Sequence, residues 1–256
     1  MANVQPKGRL DITTFLPSSL TISQTGKIER EQQPLLKKLN LIFSFNPLTE
    51  WFDTTHLVRL YLHKENVAAG RQEGESSSKN QIRPFVDFYH INMDDFEPSD
   101  VDAYGKFEDF FIRKHKAGSR PIADKENPSR AVCVADSRVV TFDSVAESQK
   151  LWIKGQDFSI SMLVMDMEIG SRFKDASVAS FRLSPQDYHR YHSPVTGTVK
   201  EYRSLPGDYY DVDEQALRSK VDILTRNARA YLLIETAEFG GVLFVAIGAI
   251  EVGTVK

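Results

Sequence analysis

A single cysteine, Cys133, occurs in the 256 residues, so no disulfide can form within the chain and no cysteine cluster can hold zinc. One thiol fits a reducing, cytoplasmic setting, and its place in the apolar run Ala131-Val-Cys-Val134 predicts a small core residue. No run of about 18 apolar residues occurs, so no segment is expected to cross a bilayer as a helix, and contact with lipid would be peripheral. The first residues, Met1-Ala-Asn-Val-Gln-Pro-Lys-Gly8, lack the apolar stretch of a secretory signal. Charge of one sign is scarce too: a net charge of −3 gives no general attraction to nucleic acid, which is not expected as a partner. Glycine-rich phosphate cradles of the G-x-x-x-x-G-K or G-x-G-x-x-G kind are absent.

What is present is ample core material, with 41% hydrophobic residues against 26% charged. Residues 1–33 are polar and interrupted by Pro6, Gly8, Pro17 and Gly26, which predicts a poorly ordered leader. A helical region follows over residues 34–120. Leu35, Leu36, Leu39 and Ile42 share a face, as do Leu57, Leu60 and Tyr61. The small, polar stretch 66–82 predicts a flexible loop at its middle. A second helix is expected after Pro84, and a third where Phe107, Phe110 and Phe111 fall at i, i+3 and i+4. Arg113, Lys114, His115 and Lys116 crowd the end of that third helix. They suit a solvated, dipole-favoured terminus or a contact with phosphate.

Residues 121–256 change character. Short β-branched runs at Ala131–Val134, Arg138–Phe142, Ser177–Leu183, Gly197–Tyr202, Ala230–Thr236 and Val242–Gly253 alternate with turn residues. A strand-turn-helix is expected across Ile153, Gly155 and Met162. The last strand is almost wholly apolar, as one covered on both faces would be. The order predicts an α+β fold: a helical N-terminal part, then a β-rich sandwich or barrel-like catalytic part.

The densest chemistry lies in Asp187-Tyr-His-Arg-Tyr-His-Ser-Pro194. His189 and His192 stand three apart, and imidazole exchanges protons near neutral pH. Pro185, Pro194 and Gly197 argue against a helix there, and in an extended segment the two rings would point to opposite faces unless the chain bends. Acid–base catalysis, a metal site and a purely structural role all remain open, the metal being disfavoured by the lack of a third ligand at a standard spacing. Asp136, in Val134-Ala-Asp-Ser-Arg138, breaks two apolar runs. It would either stabilise a turn or orient an imidazole.

Several segments in order resemble the phosphatidylserine decarboxylase family of pyruvoyl enzymes. They include Asn92-Met-Asp-Asp-Phe-Glu-Pro-Ser-Asp100, Phe107-Glu-Asp-Phe-Phe-Ile-Arg-Lys114, Ser119-Arg-Pro-Ile122, Val134-Ala-Asp-Ser-Arg138 and Trp152-Ile-Lys-Gly155. They continue with Phe181-Arg-Leu-Ser-Pro-Gln-Asp-Tyr-His-Arg-Tyr-His-Ser-Pro194, Pro206-Gly-Asp-Tyr-Tyr210 and Val245-Ala-Ile-Gly-Ala-Ile-Glu-Val-Gly253. The resemblance implies a proenzyme in which a serine of a Leu-Gly-Ser-Thr motif attacks the preceding carbonyl and leaves a pyruvoyl group as cofactor. It assigns His192 as the base of that step, Asp136 as its orienting carboxylate and His189 as the acid of decarboxylation. Phosphatidylserine is the implied substrate and phosphatidylethanolamine the product. A soluble amino acid such as tryptophan is the alternative substrate, and a non-enzymatic homologue the alternative function. The implied location is cytoplasmic, peripheral on an internal membrane. The Leu-Gly-Ser-Thr motif does not occur in these 256 residues. The sequence is therefore expected to be a truncated portion without the α chain and inactive alone, its last strand left with an open edge.

Overall fold

Local periodicity predicts helices first and strands after; the computed structural model is a mixed α+β fold, with short strand pairs before residue 116 and helices set between the later strands. It describes residues 20–22, 28–30, 68, 70–151, 158–210, 212 and 222–249. The expected helices around Leu35–Ile42 and Leu57–Tyr61 and the segment Trp152–Gly155 lie outside the described residues. Within the expected leader, strands β1 (Leu20–Ile22) and β2 (Ile28–Arg30) pair antiparallel, with Ile22 opposite Ile28. Alternating apolar residues on both sides of Thr25-Gly26 outweigh the surrounding polar composition.

The polar stretch expected to be a loop is folded over Ser76–Gln81, a short 3₁₀ turn. Ser78 is 1% exposed, and its Oγ accepts from the Phe107 amide at 2.9 Å. That amide is one of the unpaired donors at the start of a helix whose own preceding residue, Lys106, offers no side-chain cap. Composition marked the serine as solvated; its partner lies 29 residues away. Helix α1 (Ile82–Tyr89) carries Pro84 in its first turn, where the missing N–H costs nothing, and ends at His90 in a left-handed conformation. Helix α2 (Phe107–Phe111) packs on it. Ile82, Tyr104, Phe107 and Phe110 form a buried cluster, with Phe85 edge-on to Phe107 at 5.2 Å and Tyr104 edge-on to Phe110 at 5.6 Å. Between and after these helices, β3 (Phe96–Glu97) pairs with β4 (Lys114–His115), which sets His115 beside Phe96.

Strand β5 (Arg138–Phe142) is followed by α3 (Val145–Leu151), α4 (Ile160–Val164) and α5 (Met167–Arg172), and then pairs antiparallel with β6 (Val178–Arg182). Ser159 and Asp166 cap α4 and α5 by accepting the amides of Met162 and Ile169. Strand β7 (Thr198–Leu205), helix α6 (Ile223–Arg226), and strands β8 (Arg229–Thr236) and β9 (Gly240–Ile247) complete the chain as described. The sheet order is β7-β8-β9, and β8 is its buried centre, with Tyr231, Leu233 and Ile234 under 7% exposed. Tyr231 and Leu233 meet Val164, Ile169, Phe173 and Leu205 in the main β-side core. Among the described residues the fold is α+β with no closed barrel.

Three further expectations change. Strand β9 is not covered on both faces: it is half-buried along its length and has one strand neighbour among the described residues. An apolar run reads alike at a sheet centre and at an edge. Cys133 is exposed, because the segment 131–134 is not a regular strand but an extended stretch held by two backbone bonds, Val132 N–H to Pro194 O and His192 N–H to Val134 O. Arg113 is no solvated helix end; it is 2% exposed. The segment Pro206-Gly-Asp-Tyr-Tyr210 is held on both sides. A Cβ on Gly207 would collide with the backbone of Arg226 and Ala228, and buried Asn227 accepts from Tyr210 N–H and donates to the Tyr210 and Gly248 carbonyls.

Candidate functional site

The histidine loop runs between β6 and β7, and its shape is set first by its own short bonds. Ser184 N–H donates to the Asp187 carboxylate at 2.7 Å while Asp187 N–H donates to Ser184 O at 2.9 Å, a reciprocal turn that Pro185 favours. Arg138 then reaches in from β5, donating to Ser184 Oγ at 2.5 Å with Asp187 Oδ2 3.6 Å away.

Arg113 supplies the deeper anchor. Its guanidinium lies over the rings of Phe96 and Phe110, 4.3 and 4.7 Å from their centres. It donates to Gln186 O at 2.7 Å and, at 3.4 Å each, to Asp187 O and Phe110 O. Burial lowers its pKa to about 10, so it stays charged at neutral pH. Arg190 makes the reverse tie, donating from Nε to Ile112 O at 2.7 Å. The loop is thus bolted to the end of α2.

His189 faces inward. Its Nε2 donates to the carbonyls of Ser184 and Pro185, at 3.1 and 3.2 Å, which leaves the lone pair on Nδ1. The ring stacks on Phe111 with centres 3.9 Å apart. Burial pushes its pKa down to about 4 from the ordinary 6.5, with Arg113 adding to the shift and the two carbonyls opposing it. His189 is therefore neutral at pH 7. The unfolded chain binds the extra proton between about pH 6.5 and 4, so the contribution to stability is complete above that window and is lost as the pH falls through it. We expect a loss of at most about 3 kcal/mol, less what partial exposure removes. Urea denaturation of wild type and His189→Gln at pH 7 and 4.5 checks it: the difference between the two proteins should shrink as the pH falls.

His192 lies outward and is exposed. Its Nε2 is 3.0 Å from the hydroxyl of buried Tyr188, with the two rings nearly coplanar in orientation at 6°. Tyr188 in turn stacks on His115 at 4.0 Å, and His115 on Phe96 at 5.0 Å. His115 Nε2 is 3.5 Å from Asp136 Oδ2. Burial lowers the His115 pKa, opposed chiefly by that carboxylate.

Asp136 is held by Arg120 rather than by His192. Arg120 Nε reaches both carboxylate oxygens at 2.9 and 3.0 Å, Nη2 reaches Oδ2 at 2.7 Å, and Nη1 also contacts Asp95 at 3.2 Å. Among the described residues no hydrogen bond joins Asp136 to His192. A continuous path of contacts connects them instead, through His115 and Tyr188. Among the described residues no hydrogen bond, ion pair or ring stack joins His189 to either. Sequence reasoning thus named Asp136, His189 and His192, gave Arg113 and His115 only the part of a helix end or a phosphate contact, and missed Tyr188, Arg120 and Phe111. The motifs Ser119-Arg-Pro-Ile122 and Phe107–Lys114 contained most of them, without a sign of which side chains turn inward.

The α+β fold thus holds one histidine kept neutral inside, one open to the surface, and a carboxylate fixed by an arginine. Residues 107–256 match the model of the family described as phosphatidylserine decarboxylase, and the chain belongs to that family. It is 39% identical over 234 residues to phosphatidylserine decarboxylase proenzyme 2 of Komagataella phaffii, an alignment covering 90% of this chain and 23% of that protein. It is 34% identical over 231 residues to phosphatidylserine decarboxylase proenzyme 3 of Schizosaccharomyces pombe, covering 90% and 24%. With the phosphatidylserine decarboxylase proenzyme of Fusobacterium nucleatum it shares 33% identity over 184 residues, covering 72% and 60%. The chain therefore spans about a quarter of the length of the first two relatives. Among the described residues no helix is long and apolar enough to cross a membrane.

Proposed function

We propose that this chain is the histidine-bearing part of a proenzyme that cleaves itself at a serine and then converts phosphatidylserine to phosphatidylethanolamine. The observation that carries the reading is the division of the loop into an exposed His192 and an inward, neutral His189. An open imidazole whose ring is fixed by a neighbour suits a base that must meet a hydroxyl from another segment. An enclosed one suits proton transfer away from water.

The pyruvoyl group left by self-cleavage supplies the electron sink for loss of CO₂. The Leu-Gly-Ser-Thr motif that would generate it does not occur in these 256 residues. His189 is neutral before substrate arrives, so it must take up a proton before it can return one to carbon. An anionic lipid carboxylate or phosphate beside its Nδ1 would raise its pKa toward that task. Asp136, fixed by Arg120, contributes a negative charge that opposes the lowering of the His115 pKa by burial. A lipid substrate puts the working position at a membrane surface, which we assign to the cytoplasmic face of an internal membrane.

The test extends this chain with a family-type downstream segment carrying Leu-Gly-Ser-Thr. We expect two chains by mass and formation of ethanolamine lipid from serine lipid, with no CO₂ released by the 256 residues alone. An uncleaved product from a folded extended chain would overturn the reading. Tryptamine formation in place of ethanolamine lipid would shift the substrate to a soluble amino acid.

A further inference from the structure

We propose that the outer face of the β7-β8-β9 sheet seats the acyl chains of the lipid substrate. The inference deepens, and rests on, the reading of a serine lipid as that substrate.

Residues paired across an antiparallel sheet share a face, so the register sorts the side chains. Glu201, Arg203 and Arg229 fall on the same side as Tyr231 and Leu233, the side that meets the β-side core. On the other side two neighbouring rows run Val199-Ile234-Val242 and Tyr202-Leu232-Phe244, and none of the six is charged. The open face of an antiparallel sheet is normally its polar one. Here the order is inverted. The face with ionisable side chains is packed, and the face without them is open at β7, where Val199 is 54% and Tyr202 57% exposed. A contiguous apolar patch of that kind marks a surface that something apolar covers.

Size and position choose the occupant. A three-stranded face of this length offers roughly 200–300 Å², whereas a stable protein interface takes about 800 Å² from each partner. A second copy of the chain would need more than the face provides. The face also begins at the histidine loop. Tyr191, the residue before His192, rests its ring on Phe244 with centres 5.3 Å apart. A Cβ on Gly197 would lie 2.8 Å from Ile234 Cγ2, so the exit of the loop closes that end. A lipid whose headgroup reaches the imidazoles thus has its chains at the rim of this face. Hydrocarbon asks for no hydrogen bond, and of the six side chains only Tyr202 offers one.

The test uses the 256-residue chain and two ligands: dihexanoyl phosphatidylserine below its micelle-forming concentration, and glycerophosphoserine, the same headgroup without chains. By calorimetry the dihexanoyl lipid should bind at least about tenfold more tightly, the factor that two buried methylenes give. Replacing Val199→Gln and Tyr202→Gln together, both at exposed positions, should bring that ratio near unity without changing the affinity for glycerophosphoserine. In wild type, a lipid with a spin label on its chain should broaden the amide signals around Tyr202, Leu232 and Phe244, which decides the matter if the double variant fails to fold. Equal affinities for the two ligands, no binding of either, an unchanged ratio in a folded double variant, or broadening at another surface overturns the proposal. So does a mass that doubles with concentration in wild type but not in the double variant, which would make the face a contact between two copies. Failure of the extended chain to cleave would remove the proposed function while chain-dependent lipid binding still stood. Cleavage with equal affinities would remove this inference alone.

Discussion

Arg113→Met should lower stability by about 3–5 kcal/mol and release the histidine loop, although methionine fills similar volume and contributes no charge. Replacing a buried charge by an apolar side chain is harmless only when its partners are replaced as well. The partners of Arg113 are backbone carbonyls of Phe110, Gln186 and Asp187, which no substitution at 113 removes. Left without donors in an aromatic pocket, they must find water or move. Arg113→Lys keeps the charge but not the planar fork, and cannot stack on Phe96 and Phe110 in the same way, so it should fall between the two. Denaturant midpoints for the three proteins give the stability order. The proton-binding behaviour of His189, followed by histidine NMR spectra, reports whether the loop has let go. A methionine variant within about 0.5 kcal/mol of wild type, the range of ordinary surface changes, would show that the loop holds without this anchor.

The second large effect separates the two histidines. In the extended proenzyme His192→Ala should block self-cleavage, leaving one uncut chain on a mass spectrum. His189→Ala should cleave but fail to turn over serine lipid. Loss of an acid or base group costs on the order of 10²–10⁴ in rate, so each defect should be plain against wild type. The split follows from placement: His192 is exposed, and His189 is stacked on Phe111 with its Nε2 spent on two carbonyls. Identical defects in both steps for both variants would contradict the division of labour.

Strands β5 to β9 and helices α1 and α2 were legible because their signals are local: β-branched alternation in one case, Phe107, Phe110 and Phe111 in the other. Ser78, Arg113 and Cys133 were not. A serine in a polar run looks solvated until a distant amide needs an acceptor. An arginine after a short helix looks like a capping charge until two phenylalanines flank it. The cysteine sits in an apolar run that forms no regular strand, and it is exposed among the described residues. Of the site, the residue types were legible but the partnerships were not. His115 and Tyr188 are 73 positions apart and only the β3–β4 pairing and the bolted loop bring their rings together. The expectation that Asp136 orients His192 came from the family resemblance. The structure gives that carboxylate to Arg120 and leaves a tyrosine at the histidine.

The ties that fix the histidine loop cross long stretches of chain: Arg113 reaches a carbonyl 73 residues onward, and Arg190 reaches one 78 residues back. Contacts of that span form late, because the intervening chain must lose its freedom before they return anything. A newly made polypeptide would therefore carry both imidazoles for some time without the scaffold that aims them. Under the proposed self-cleavage, chemistry that severs the backbone would be withheld until the molecule has its shape, with the order of events set by chain connectivity.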